Sequence, residues 1–366
     1  MKNPHIVIDC FKFLRGTGKS YGIPISVQRL IRNLKTAYPD MNLTVLGNKY
    51  TREDFDICGV NFIEIDKDPH SRLTCLVWEL FTVSKVLKKI KADKVFFPRG
   101  FSALTHPVYD IVQIHDMIPF FYDEKFPGHM NKFENAYVKA RLKQSARTAK
   151  EILTISEASK RDIVKYARCN PDKIRIIEHS SELIDYDGTH GGGGYLCAVT
   201  SPLPHKNAKG IVASYAAYRK LSQNPLPLHI IGIESAEPYG ADEELSKHIV
   251  CHKFIQDPHE MHELIAHAEV FLFLSLIEGS GYPPVEAMNL GAPVVCANNS
   301  SLPEVCGDAA KLVDAENPEE VANALILVQE NEDLREEMRA KAAVLKQSHT
   351  WKTRTKLYHD LFCGEE

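Results

Sequence analysis

The segment Leu274-Ser-Leu-Ile-Glu278-Gly-Ser-Gly281-Tyr-Pro-Pro284-Val-Glu286-Ala-Met-Asn-Leu-Gly291-Ala-Pro-Val-Val295 reads as the end of a strand, a glycine turn, a short helix and a second strand. Pro283 and Pro284 suit a first helical turn, where a missing N–H costs nothing, and Gly291 suits the position just past a helix end. The reading therefore sets Glu286 in the first turn. A glycine-bordered helix N-terminus turns N–H groups and a positive dipole end toward an anion, so the segment predicts a phosphate seat. Taken singly, Glu286 stabilises a helix dipole and Glu278 is a solvated loop residue; taken together they flank a ligand.

Outward from this segment, β-rich apolar runs alternate with helical stretches. Toward the N-terminus these are His5 to Asp9, Leu43 to Gly47, Asn61 to Ile65, Val95 to Pro98, Ile111 to His115 and Ile152 to Ile155. A second series runs through Tyr195 to Val199, Leu228 to Gly232, Val270 to Leu274 and Pro293 to Cys296. Alternation of this kind predicts α/β domains with parallel sheets, which take ligands at the carboxyl ends of their strands. Between the series lies Asp185-Tyr-Asp-Gly-Thr-His-Gly-Gly-Gly-Gly194, whose glycines oppose a regular element. The expected domains are residues 1–185 and 190–345, with a last helical segment in 346–366 docked by Trp351, Leu357 and Leu361. One helical stretch is expected from Pro318 to about Lys346.

A chain of 366 residues exceeds what one core usually supports, which agrees with two domains. No apolar run is long enough to span a bilayer, and the start has no signal-peptide core. The nine cysteines include no Cys-x-x-Cys pair, so reduced thiols and a cytoplasmic location are expected. Residues 1–185 carry 30 Lys and Arg against 22 Asp and Glu, and the remainder carries 14 against 26. A first half at +8 suggests a peripheral membrane surface through Lys85, Lys88, Lys89 and Lys91 and through Arg141, Lys143, Arg147 and Lys150; solvated helix faces are the alternative.

The Glu278 and Glu286 pair sits in Glu-Gly-x-Gly-x-Pro-x-x-Glu-Ala-Met, and Asn299-Ser-Ser-Leu-Pro-Glu304 follows it. This pattern resembles the retaining family-four glycosyltransferases of the group 1 type. The resemblance runs from about Tyr195 to Leu327 and implies the GT-B fold, two Rossmann-like domains facing across a cleft. It implies an N-terminal domain that meets the acceptor and a C-terminal domain that binds a nucleotide-sugar donor. Glu286 would take the ribose hydroxyls, Glu278 would face the transferred sugar, and N–H groups of Gly279, Ser280, Gly281 and Tyr282 would hold sugar or diphosphate. Ser280 stands where the family usually has Phe. The loop Thr200-Ser-Pro-Leu-Pro-His205-Lys206-Asn207 matches the family's diphosphate loop, with Lys206 as its cation. Ser201 or His205 stands where many relatives add an arginine.

Gly18-Lys19-Ser20 is not a P-loop, since that motif needs glycine at position 13 and Phe13 is there. The stretch resembles the family's N-terminal glycine loop, with Gly18, Gly22 and Ile23 toward phosphate or acceptor; a plain turn is the alternative. His115 and Asp116 resemble a His-Asp signature of mannosyltransferases of polysaccharide or O-antigen assembly, there lying near sugar and acceptor. The resemblance thus implies a retaining hexosyltransferase, with GDP-mannose as donor and a glycan or lipid-linked acceptor. No metal is expected, nor any cofactor beyond the nucleotide diphosphate sugar itself, and nothing points to nucleic acid. An epimerase or hydrolase of the same fold, or a silent sugar-nucleotide-binding scaffold, are the competing readings.

Overall fold

The computed structural model describes residues 3–14, 22–178, 186, 188–348 and 350–364. The chain forms two compact units, Met1–His179 with Trp351–Glu366, and Ser180–Thr350.

The first unit is built on a parallel sheet of β1 (Ile6–Asp9), β2 (Leu43–Gly47), β3 (Asn61–Glu64), β4 (Lys94–Phe97), β5 (Tyr109–Gln113), β6 (Glu151–Thr154) and β7 (Ile174–Ile176). Its strand order is β3-β2-β1-β4-β5-β6-β7. The second unit holds β8 (Leu196–Val199), β9 (Leu228–Ile231), β10 (Ile249–His252), β11 (Val270–Phe273), β12 (Val294–Ala297) and β13 (Ala310–Val313), in the order β10-β9-β8-β11-β12-β13. All pairings are parallel. Parallel strands need helical crossovers that cover both faces, so central strands such as Val-Phe-Leu-Phe of β11 are buried along their whole length. Strand order reverses between β1 and β4 in one sheet and between β8 and β11 in the other. Ligands of open α/β sheets bind outside the strand ends at such a reversal.

Three strands go beyond the sequence reading: β7, β10 and β13. Each is an edge strand, and each is only partly buried. Half-solvated strands need no apolar run, which is why periodicity passes over them.

The helical stretch expected after Pro318 is two helices, Pro318–Glu330 and Glu332–Ser348. Asn331 separates them, its side chain accepting from the Leu334 N–H at 2.9 Å as the second helix begins. The last helix, Trp351–Cys363, packs in the first unit and completes the cover of one face of its sheet with Tyr358, Leu361 and Phe362, beside Ile6, Ile8 and Phe96 and next to Leu30 and Leu34 of the helix Gly22–Ala37. Leu357, expected to dock it, points outward instead, while Trp351 is partly buried against that core. Of the glycine run, Gly191 and Gly193 donate to the carbonyls of Ala266 and His267, and Gly192 donates to the Glu269 carboxylate, so the run lies against the second unit. Among the described residues no helix is long and apolar enough to cross a membrane.

Candidate active site

In the second unit, β8 and β11 lie side by side, with Leu196 level with Val270 and Ala198 with Leu272. The chain leaving β8 passes through a 3₁₀ turn, Pro204–Lys206; the chain leaving β11 runs to Glu278. The sheet thus delivers Lys206 and Glu278, 72 positions apart in sequence, to the same point at the strand reversal.

Side-chain bonds fix both loops. Asn207 sits in left-handed backbone at φ 56° and caps the helix Ala208–Leu221 by accepting from the Gly210 N–H. Its amide also donates to the carbonyls of Leu274 and Ala315, each at 3.1 Å, joining the loops that follow β8, β11 and β13. The Thr200 hydroxyl donates to the Lys206 carbonyl, and the Leu276 N–H and Ser275 hydroxyl donate to that of His205. Glu278 is clamped in turn: its N–H donates to Ser300 Oγ at 2.8 Å, and its carbonyl accepts from the hydroxyls of Ser300 and Ser301. Between these clamps Lys206 Nζ donates to Glu278 Oε1 at 2.5 Å, with side chains 24% and 12% exposed. The sequence reading gives these residues separate tasks; in the structure they are an ion pair.

Gly281 begins the helix Tyr282–Asn289 with φ 72°, and a Cβ there would lie 2.5 Å from Leu302 Cδ2, so position and packing both require glycine. Pro283 and Pro284 do fall in the first turn. Glu286 does not: the helix starts at Tyr282, which makes Glu286 its fifth residue, half-buried and one turn in. With two prolines in the first turn, N–H donors at this end belong to the Gly279–Tyr282 stretch and to Val285. At the far end Gly291 and Ala292 donate to the carbonyls of Met288 and Ala287, the bond pattern of a glycine-terminated helix, with Gly291 at φ 81°.

The remaining sequence-predicted residues belong to the first unit. His115 lies two residues past β5, and its Nε2 donates to the carbonyl of Pro98, past the end of β4, at 2.9 Å. Burial, with the Arg99 cation adding to it, holds His115 below the ordinary histidine value, so its imidazole is neutral near pH 7. Asp116 accepts from the Ile118 N–H at 3.0 Å. Gly22 and Ile23 start the helix Gly22–Ala37 rather than lying in a loop, and Ile23 packs partly against the core. Gly18 falls outside the described residues.

A charged group at the other strand reversal escaped the sequence reading. Asp9 ends β1 and accepts from Trp78 Nε1 and the Phe11 N–H; burial pushes its carboxyl upward. Burial and then Arg99 push Lys12 down to about 8, and Lys12 pairs with buried Glu79. Trp78 and Glu79 are consecutive, and the π-helical turn Trp78–Thr82 buries both. The available signal was position, since Asp9 ends β1 and Arg99 follows β4, its neighbour in the sheet, by two residues. Asn207 was legible too, as an asparagine directly before a helical run. Arg141, expected on a basic surface, is buried, donating to the Ser102 carbonyl and to Gln144. Among the described residues no three His, Cys, Asp or Glu side chains converge as a metal-holding group.

Residues 188–344, which carry the Lys206 and Glu278 loops, match the model of the glycosyl transferases group 1 family. The second unit therefore carries a group 1 glycosyltransferase region. The O-antigen chain mannosyltransferase B of Escherichia coli is 26% identical to it over 67% of this chain and 68% of that protein. The O-antigen chain mannosyltransferase RfbU of Salmonella typhimurium is 25% identical over 70% of this chain and 71% of its own. Among solved structures, WaaG, a glycosyltransferase involved in lipopolysaccharide biosynthesis, superposes with a TM-score of 0.72 over 98% of this chain and 100% of its own at 14% identity. Sucrose-phosphate synthase from Thermosynechococcus elongatus does so at 0.70, over 98% and 99%, at 14% identity. The glycosyltransferase therefore has the GT-B class of fold, two α/β units each on a parallel sheet.

Proposed function

We propose that the enzyme transfers a hexose, with GDP-mannose as donor, to a glycan or lipid-linked acceptor in polysaccharide or O-antigen assembly, retaining anomeric configuration. The observation that carries this reading is the clamped Lys206 and Glu278 pair at the reversal between β8 and β11. Lys206 faces the diphosphate and stabilises charge on its departing oxygen; N–H groups of Gly279, Ser280, Gly281 and Tyr282 share that load. Glu278 meets the transferred sugar, and Glu286, one helical turn in, meets the ribose. Residues 1–185 serve the acceptor, with His115 and Asp116 nearest the reacting sugar, and residues 190–345 serve the donor. A lysine that neutralises the diphosphate does what a metal ion does in other transferases, so the reaction needs neither metal nor cofactor. The two O-antigen chain mannosyltransferases described above support mannose.

Purified protein given GDP-mannose, with UDP-glucose and dTDP-rhamnose as comparisons, and an O-antigen oligosaccharide acceptor tests the reading. Mannosyl transfer in EDTA with an α-linked product is expected. Complete reversible loss in EDTA overturns metal independence, an epimerised or hydrolysed donor supports the rival enzymes, and binding without turnover supports the silent scaffold.

A second observation favours a cytoplasmic enzyme resting on an anionic bilayer. The helices Arg72–Val77 and Val83–Lys89, joined by the turn Trp78–Thr82, lie beside the helix Lys132–Thr148, linked through Arg72–Glu134 at 3.7 Å and Tyr137–Glu79 at 3.1 Å. Together they expose Leu73 (69%), Phe81 (56%) and Phe133 (89%). Lys85, Lys88, Lys89 and Lys132 are exposed on the same helices, so apolar side chains stand beside cations, the pattern of a surface that dips into lipid headgroups.

A further inference from the structure

The Lys206 and Glu278 pair raises a question that the donor reading does not answer. The cation needed at the diphosphate is already occupied by a carboxylate, and the backbone on both sides is held, so neither residue can simply drift away. A diphosphate approaching Lys206 meets Glu278 as a competitor of the same sign.

We propose that Glu278 is exchanged on donor binding, leaving Lys206 for the transferred sugar's hydroxyls, and that this exchange makes the site prefer the sugar nucleotide over the free nucleoside diphosphate. The inference rests on the donor reading above. Its physical basis is the fate of the displaced carboxylate. Glu278 is 12% exposed, so water replaces Lys206 poorly, and an ionised carboxylate without donors is costly in such a place. A nucleotide sugar brings hydroxyl donors along with the diphosphate, and the carboxylate passes from an ammonium to hydroxyl groups. The free nucleoside diphosphate takes Lys206 and brings nothing for Glu278, which then faces the phosphates unpaired. The pair therefore penalises the leaving product more than the donor, which speeds clearance of the site after transfer. Charge is conserved throughout, and no bond other than hydrogen bonds forms or breaks in the exchange.

The test is calorimetric titration of the full-length protein with GDP, UDP and dTDP, followed by the sugar nucleotide of whichever binds. Glu278→Gln removes the charge and keeps the side-chain shape. It is expected to tighten nucleoside diphosphate binding about tenfold, the size of one charged hydrogen bond, while the sugar nucleotide gains nothing, so the preference between them collapses. In a Lys206→Gln background the same change should tighten binding much less, because no pair is left to break. Equal tightening in both backgrounds would mean plain repulsion and would overturn the exchange, as would unchanged or weaker binding of the diphosphate by Glu278→Gln. Should the wild-type protein bind none of the three nucleotides, the donor reading falls first and the exchange with it. Circular dichroism of each variant separates these outcomes from misfolding, and a folded Glu278→Asp, whose shorter arm weakens the pair while keeping its charge, should lie between wild type and Glu278→Gln.

Discussion

At the scale of single residues, His115 offers the clearest link between burial and behaviour. Its imidazole is held below the ordinary value of 6.5, chiefly by burial. Between that lowered value and 6.5 the unfolded chain binds a proton that the folded one refuses, so stability falls as pH drops below 6.5. His115→Gln, which keeps a donor for the Pro98 carbonyl, should flatten this decline. Urea melts at pH 5 and pH 7 check it, and an unaltered pH dependence would mean that His115 takes up its proton freely; His229 and His262, also lowered by burial, keep their own shares. Residue identity was readable for Lys206, Glu278 and Gly281, because loop chemistry depends on local pattern. The partnership of Lys206 with Glu278 was not, since it is made by strand order across 72 positions, and no local window contains it. Glu286 was set one turn too early because the prolines mark the second and third helical positions, Gly281 being the cap and Tyr282 the first residue.

Among elements, the helices around Phe81 and Phe133 carry a prediction of their own. Burying a leucine or phenylalanine side chain in lipid is worth about 1.5–3 kcal/mol, so each exposed apolar residue should matter roughly tenfold or more in vesicle affinity. Flotation with vesicles of phosphatidylglycerol and phosphatidylcholine should show binding that weakens with salt and that Leu73→Ser, Phe81→Ser and Phe133→Ser together abolish. Equal binding to purely zwitterionic vesicles would remove the lysines from the explanation; no binding at low salt would leave the patch without its lipid. Charge counting pointed to this unit, but it also counted Arg141, which is folded inward. Composition cannot tell a cation that faces water from one that braces a loop. Central strands were legible for the opposite reason: burial on both faces forces continuous apolar runs, whereas edges such as β7, β10 and β13 are free of that demand.

For the whole molecule, the prediction concerns the helix Trp351–Cys363. Phe362 is fully buried beside Phe96, with ring centres 5.5 Å apart, and Lys94 Nζ donates to the Leu361 carbonyl at 3.3 Å. Phe362→Ala should cost about 3–5 kcal/mol and should act on the first unit alone. Hydrogen exchange followed by mass spectrometry reads this directly: protection should fall in β1 and β4 and stay unchanged in β8 and β11. Loss spread evenly over both sheets would mean that the two units unfold as one. The same helix sets an order of events during translation. The sheet that begins with β1 emerges from the ribosome early, and Val27, Leu30, Ile31 and Leu34 of the helix Gly22–Ala37 soon cover part of one face, yet Tyr358, Leu361 and Phe362, which complete that cover, follow the entire second unit. The nascent protein thus carries an incompletely covered apolar face while more than 170 further residues are made. The first unit to be synthesised is the last to be finished, and chaperones that shield apolar surface should be found on ribosomes paused after residue 350 and absent once the final helix has emerged.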